Sequence, residues 1–180
     1  MTTAIPTTYH KYRNEIKTGD LILFESKDFF SRIIAWKTGS AITHAAMAFW
    51  MMGPTGKSRL YILEAVIFGF YPNYFSNRVA WYLPHGDIYW YKIIKPLRHL
   101  GADAADKLLD YVGSYYDFKD VILQAFKRVT LHPGAIFCSE AIALAWKDIL
   151  ELPDDYIVPY PSELPGRGLG VYEKTGVKIQ

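Results

Sequence analysis

Two apolar runs separated by a short turn constrain the fold of this 180-residue chain more than any other feature. Residues 40–50 and residues 59–67 are rich in apolar side chains, and Gly53-Pro54-Thr55-Gly56-Lys57 lies between them. Glycine and proline favour turns, and runs of this length bounded by turn residues are typical of strands. The sequence therefore predicts an antiparallel hairpin.

The second of these strands contains an acidic residue, Glu64, in the segment Tyr61-Ile62-Leu63-Glu64-Ala65-Val66. Side chains alternate between the two faces of a strand, so Glu64 shares a face with Ile62 and Val66, and that face is apolar. An unpaired charge in such a place is costly. We therefore expect the Glu64 carboxylate to be paired with a polar or cationic partner.

Cys138 is the only cysteine, and it lies where an apolar segment, Ile136 to Trp146, turns into a predicted helix. Alanine and leucine at helical spacing follow it directly. The first turn of a helix offers free N–H groups and the positive end of the dipole, which favour the thiolate, the nucleophilic form of cysteine. A lone cysteine is also commonly a small buried apolar residue. Both readings are open at this point.

The remaining segments predict a mixture of strands and helices. Further strands are predicted at 21–24, 79–83, 87–94 and, as a terminal pair, 169–172 with 177–179. Further helices are predicted at 29–37, 103–112 and 118–126. A helix, a block of strands and then helices predict a single α+β domain over residues 1–180. Residues 1–18 are expected to form an irregular arm, and residues 153–180 a Pro/Gly-rich C-terminal segment.

Composition narrows the classes of function. The net charge is +2, from 20 basic and 18 acidic residues spread along the chain, so we expect no nucleic-acid partner. The five histidines lack HxxxH or HExxH spacing, so no metal is expected. We expect no cofactor. No basic-then-apolar leader and no apolar run of about 18 residues or more is present, which favours a cytoplasmic protein without a transmembrane segment.

A cysteine nucleophile requires a base within hydrogen-bond reach and a polar group that orients the base. His44 stands near the start of the first hairpin strand, and Glu64 lies 20 residues later on the second. Taken separately, His44 is more often a core histidine and Glu64 more often a structural ion-pair partner. Their combination with Cys138 favours catalysis.

The motifs that carry these residues resemble the circularly permuted papain-like hydrolases of the NlpC superfamily, specifically the YiiX-like branch. They are, in order, Gly19-Asp20-Leu21-Ile22, Thr43-His44-Ala45, Leu63-Glu64-Ala65, Tyr116-Asp117, Phe137-Cys138-Ser139-Glu140 and Pro161-Ser162. The cysteine helix follows the histidine strand, which is the permuted order. The resemblance implies an antiparallel sheet packed against the cysteine helix, with Cys138 as nucleophile, His44 as base, Glu64 as orienting group and Tyr116 as an oxyanion donor.

The resemblance further implies a hydrolase that attacks an amide, peptide, ester or thioester carbonyl through an acyl-enzyme. The substrate would be a peptide, an amide or a lipid-like molecule. Two alternatives are a non-catalytic binding or structural module on the same fold and a lipid acyltransferase or phospholipase-like activity. The residues leave the natural substrate and the oligomeric state undetermined.

Overall fold

The computed structural model of the protein describes residues 7–26, 39–66, 69–82, 85–113, 138–166 and 168–179. They form an α+β fold, as predicted, around a sheet of six strands in which every neighbouring pair is antiparallel. The strands are β1 Leu21–Ser26, β2 Ile42–Met52, β3 Ser58–Val66, β4 Gly69–Tyr74, β5 Gly86–Tyr91 and β6 Val177–Ile179. Their order across the sheet is β4-β3-β2-β1-β5-β6.

Helices cover both faces of this sheet. They are α1 Thr7–Tyr12, α2 Phe75–Tyr82, α3 Gly101–Leu109 and α4 Cys138–Lys147, with 3₁₀ turns at Lys95–Leu100 and Pro161–Glu163. Side chains alternate along the middle of β2: Ala45 and Met47 join the core under α3 and α4, whereas Ala46 and Ala48 join the core under α1 and α2. Both faces of this part of β2 are therefore apolar.

The predicted hairpin is confirmed as β2 and β3, which pair from Ala46 opposite Glu64 to Met52 opposite Ser58. The strands predicted at 21–24 and 87–94 are present as β1 and β5, and the helix predicted at 103–112 is present as α3. The helices predicted at 29–37 and 118–126 lie outside the described residues.

Four features of the structure differ from the sequence predictions. Residues 79–83 were expected to form a strand, but residues 75–82 form α2, because the buried residues Phe75, Val79 and Tyr82 recur at helical spacings of four and three. The strand β4 was not predicted. It contains Pro72 and half-exposed aromatic residues, which an edge strand tolerates because one side of it forms no ladder.

At the two ends of the chain the pairing also differs from expectation. The arm expected over residues 1–18 contains the short helix α1, which is fixed by the buried Tyr9. At the other end β6 pairs with β5 rather than with residues 169–172, and Tyr172 forms isolated bridges to Ile93 and Pro165. None of the helices among the described residues has the length and apolar character needed to cross a membrane.

Asp20, in the Gly-Asp-Leu-Ile motif, ties the start of β1 to the segment after β5. Its fully buried carboxylate accepts hydrogen bonds from the Trp90 indole at 2.9 Å, from the Ile93 backbone at 3.2 Å and from Arg98. The Asp20–Arg98 pair is therefore a structural element at one edge of the core, since a buried carboxylate needs such partners.

Among the glycines that the structure describes, Gly86, opposite Ser26 in the β1–β5 ladder, leaves the least room for a side chain. A Cβ atom there would lie 1.8 Å from the carbonyl oxygen of Glu25, so the two strands would have to separate. We predict that Gly86→Ala lowers the free energy of unfolding by about 3 kcal/mol. Urea denaturation measures this. Gly53→Ala is the control, because its Cβ would only approach the Lys57 oxygen at 3.5 Å, and an equal loss in both variants would contradict the prediction.

Candidate active site

Cys138 is the first residue of α4, and the helix places it at the sheet. Ala141, Ile142 and Ala145 of α4 pack in the same core as Ala45 and Met47 of β2. The thiol is partly buried, and the backbone N–H groups of Ala45 and Ser139 hydrogen-bond to its sulfur. The Ser139 contact comes from the first turn of α4, where N–H groups have no partner within the helix. These donors favour a negative charge on the sulfur.

His44 reaches the cysteine from the start of β2, next to an irregularity in the sheet. Phe24 of β1 pairs with His44, whereas the next residue, Glu25, pairs with Ile42, so Thr43 is an extra residue on β2. Such a bulge redirects the neighbouring side chains and is common beside active sites. The imidazole packs against the Phe24 ring at 5.4 Å and hydrogen-bonds to the Cys138 thiol.

Glu64 holds the other side of the same imidazole. His44 Nε2 lies 2.9 Å from Glu64 Oε2, which leaves Nδ1 for the sulfur. The carboxylate is fully buried, and the imidazole is about 19% exposed. Cys138, His44 and Glu64 thus form one hydrogen-bonded chain that runs from α4 through β2 to β3.

The Glu64 carboxylate has further partners from the next elements of the chain. Asn73 of β4 donates from Nδ2 to Oε1 at 2.9 Å, and Arg78 of α2 donates from Nη2 to Oε2 at 2.9 Å. Arg78 Nε also lies 2.8 Å from Oε1, as a contact between opposite charges rather than an aligned hydrogen bond. The expected pairing of Glu64 is therefore present, with histidine and arginine together.

These contacts shift the pKa values of His44, Glu64 and Cys138 in the directions that favour the charged form of each side chain. Burial would lower the pKa of His44, but its hydrogen bonds and opposite charges at Cys138 and Glu64 raise it to about 9. Burial would raise the pKa of Glu64, but the hydrogen bonds and charges of His44 and Arg78 hold it below its ordinary value. Burial would raise the pKa of the Cys138 thiol, but His44 and two backbone N–H groups hold it below its ordinary value. The site therefore favours a thiolate beside an imidazolium.

The structure brings together three of the four residues selected from the sequence: Cys138, His44 and Glu64. The fourth, Tyr116, lies outside the described residues. Sequence reasoning missed Asn73 and Arg78. Arg78 was missed because residues 79–83 were predicted as a strand, whereas Arg78 lies between the buried positions of the helix α2. Asn73 was missed because its strand, β4, was not predicted.

No model of a known protein family and no curated protein matches the sequence. Among solved structures, the fold is similar to the crystal structure of the metalloprotein YiiX from Escherichia coli O157:H7, with a TM-score of 0.54 and 20% sequence identity. The match covers 76% of this chain and 68% of the YiiX chain. The YiiX-like resemblance drawn from the motifs is thereby confirmed at the level of the fold.

The description of YiiX as a metalloprotein raises the question of whether the residues here suit a metal. Across the ranges that the structure describes, no group of three or more His, Cys, Asp or Glu side chains is arranged to hold a metal ion. In the candidate site, both Glu64 oxygens already accept hydrogen bonds from His44, Asn73 and Arg78. This donor set does not fit a metal.

Proposed function

We propose that the chain is a cysteine hydrolase with a permuted papain-like arrangement, in which Cys138 is the nucleophile, His44 the base and Glu64 the orienting group. One observation carries the proposal: the hydrogen-bonded chain from the Cys138 thiol through the His44 imidazole to the buried Glu64 carboxylate. Nucleophile, base and orienter in contact are the arrangement that activates a weak nucleophile.

The reaction begins with the thiolate of Cys138, which attacks the carbonyl carbon of the substrate. The C–S bond forms, and the carbonyl electron pair moves onto oxygen. The His44 imidazolium then gives its proton to the leaving amine, alcohol or thiol as the bond to that group breaks. Neutral His44 then takes a proton from water as the water attacks the acyl-enzyme, and the C–S bond breaks, which releases the acid and restores the Cys138 thiolate and the His44 imidazolium.

Glu64 serves both halves of this cycle. By accepting from Nε2 it fixes the imidazole with Nδ1 toward the sulfur, and its charge stabilises the imidazolium. The resemblance supports an amide, peptide, ester or thioester as the bond attacked, and it supports Tyr116 as an oxyanion donor. A lipid-like substrate and acyl transfer to an acceptor other than water belong to the same chemistry.

Thiol alkylation tests the ion pair without knowledge of the substrate. We predict that iodoacetamide modifies Cys138 at pH 6 at least about tenfold faster than it modifies an unstructured cysteine peptide. An ordinary thiol, with a pKa of about 8.5, is almost fully protonated at that pH, whereas the lowered pKa of Cys138 leaves more thiolate. Because the chain has one cysteine, mass spectrometry of the intact protein measures the rate directly.

Cys138→Ala is the control for this measurement, since it removes the site of modification. A rate at pH 6 no greater than that of the peptide would contradict the proposal and favour the non-catalytic module. A positive result then justifies a screen of amide, peptide, ester and thioester substrates, again with Cys138→Ala as control. Turnover of one class by wild type alone would identify the bond that is cleaved.

A further inference from the structure

Arg78 is the cationic side chain that contacts the Glu64 carboxylate, and the proposed reaction has so far given it no role. It contacts both carboxylate oxygens, through Nη2 and Nε. Its guanidinium also lies over the rings of Phe24 at 5.7 Å, Trp81 at 5.1 Å and Tyr82 at 5.9 Å. Cation–π contacts with three rings restrict the position of the guanidinium, so the contact with Glu64 is preorganised.

The net charge of the site indicates what the Arg78 guanidinium contributes. Thiolate, imidazolium, carboxylate and guanidinium sum to zero, whereas the same site without Arg78 carries one net negative charge. During the proposed reaction His44 gives its proton to the leaving group and becomes neutral. At that moment a fully buried Glu64 would have no positive partner on the imidazole, and Arg78 is the cation that still compensates it.

We propose that Arg78 is a positioning residue of this site, which compensates the charge of Glu64 and so allows His44 to release its proton. The catalytic role of Arg78 rests on the proposed function. Its effect on the protonation of His44 can be measured without a substrate. Without Arg78, Glu64 would hold the imidazolium more tightly, and His44 would remain protonated to higher pH.

The groups that act on this balance come from four elements. Cys138 of α4 and Glu64 of β3 act on His44 directly, and Arg78 of α2 acts through Glu64. Tyr71 of β4 lies opposite Glu64 in the strand register, and Tyr82 of α2 contacts Arg78 through its ring.

The test is the pH at which His44 loses its proton in the intact protein. Histidine labelled with ¹⁵N gives this value by NMR. The rate of alkylation by iodoacetate gives it independently, because the anionic reagent is attracted to the site only while the imidazole is charged. We call the pH at which His44 loses its proton the alkaline limit of the site. In Arg78→Met we expect this limit to move upward by about 1 pH unit, since loss of a nearby charge shifts a pKa by about this amount or more.

Matched variants separate charge from packing. Arg78→Gln is neutral but keeps a hydrogen-bond donor, so it should show the same upward shift and replaces Arg78→Met if that variant fails to fold. Arg78→Lys keeps a cation and should stay within about 0.3 pH unit of wild type. Arg59→Met is the control, because Arg59 also lies over a ring, that of Tyr74 at 5.8 Å, away from Glu64.

The outcomes distinguish this inference from the proposed function. An unchanged alkaline limit in Arg78→Met or Arg78→Gln, with fast alkylation retained, would overturn the role of Arg78 and leave the hydrolase proposal standing. Equal shifts in the lysine and the neutral variants would also overturn it, because packing rather than charge would then be responsible. Slow alkylation in wild type would instead remove the proposed function.

Discussion

Cys138→Ser and His44→Ala are each expected to reduce kcat/KM by about 10³-fold or more on a substrate identified by the screen. The hydroxyl of serine stays protonated where the thiol ionises, and without His44 no group accepts the thiol proton or supplies the leaving group. Because the two residues act as a unit, the double variant should be hardly slower than either single variant. Steady-state kinetics of all three variants measure this.

Circular dichroism and thermal melting of the same variants show whether the fold survives. His99→Ala is the matched control, since His99 is an exposed histidine on the 3₁₀ turn Lys95–Leu100. It should retain wild-type kinetics. Near wild-type turnover in Cys138→Ser would contradict the assignment of the nucleophile.

Glu64→Gln is expected to lower kcat/KM by about 10- to 100-fold and also to destabilise the fold. Loss of the carboxylate removes the charge that stabilises the imidazolium, and residues that orient a reacting group commonly contribute effects of this size. It also leaves Arg78 without its anion in a site where the carboxylate is fully buried. Breaking a buried ion pair costs about 3 kcal/mol.

The two effects have separate measurements, kinetics for the first and urea denaturation for the second. Asp148→Asn is the control for stability, because Asp148 forms an exposed pair with Lys107 at 3.1 Å and exposed pairs contribute about 0 to 1 kcal/mol. A Glu64→Gln variant with wild-type kinetics would show that another group orients His44. One with wild-type stability would show that the Arg78 contact contributes little.

Part of the candidate site could be predicted because its signals are local. Alternation along one strand placed Glu64 on an apolar face, and the cost of a buried charge then required a partner. Helix-forming residues after Cys138 placed the thiol at a helix N-terminus. Neither step requires knowledge of which elements pack together. The contact among Cys138, His44 and Glu64 does require that knowledge, because the three residues lie on different elements.

The elements that were missed depend on their surroundings. Val79, Trp81 and Tyr82 have strand propensities, yet α2 is helical because Phe75, Val79 and Tyr82 can be buried together only at helical spacing. Strand propensity measures fit to a half-buried sheet, so it gives way where a helix buries the same residues better. Pro72 similarly weakens the strand signal of β4, although an edge position accepts it.

The sequence by itself determined the β2–β3 hairpin, the helix that begins at Cys138 and the requirement that Glu64 be paired, because periodicity, turn residues and the cost of an unpaired charge act over a few residues. The tertiary structure alone decided how the partners meet. Pairing of β1 with β2 creates the bulge at Thr43, and the packing of α2 on the sheet brings Arg78 to Glu64. Contacts between residues distant in the chain depend on how whole elements pack, and local propensity carries no record of that packing.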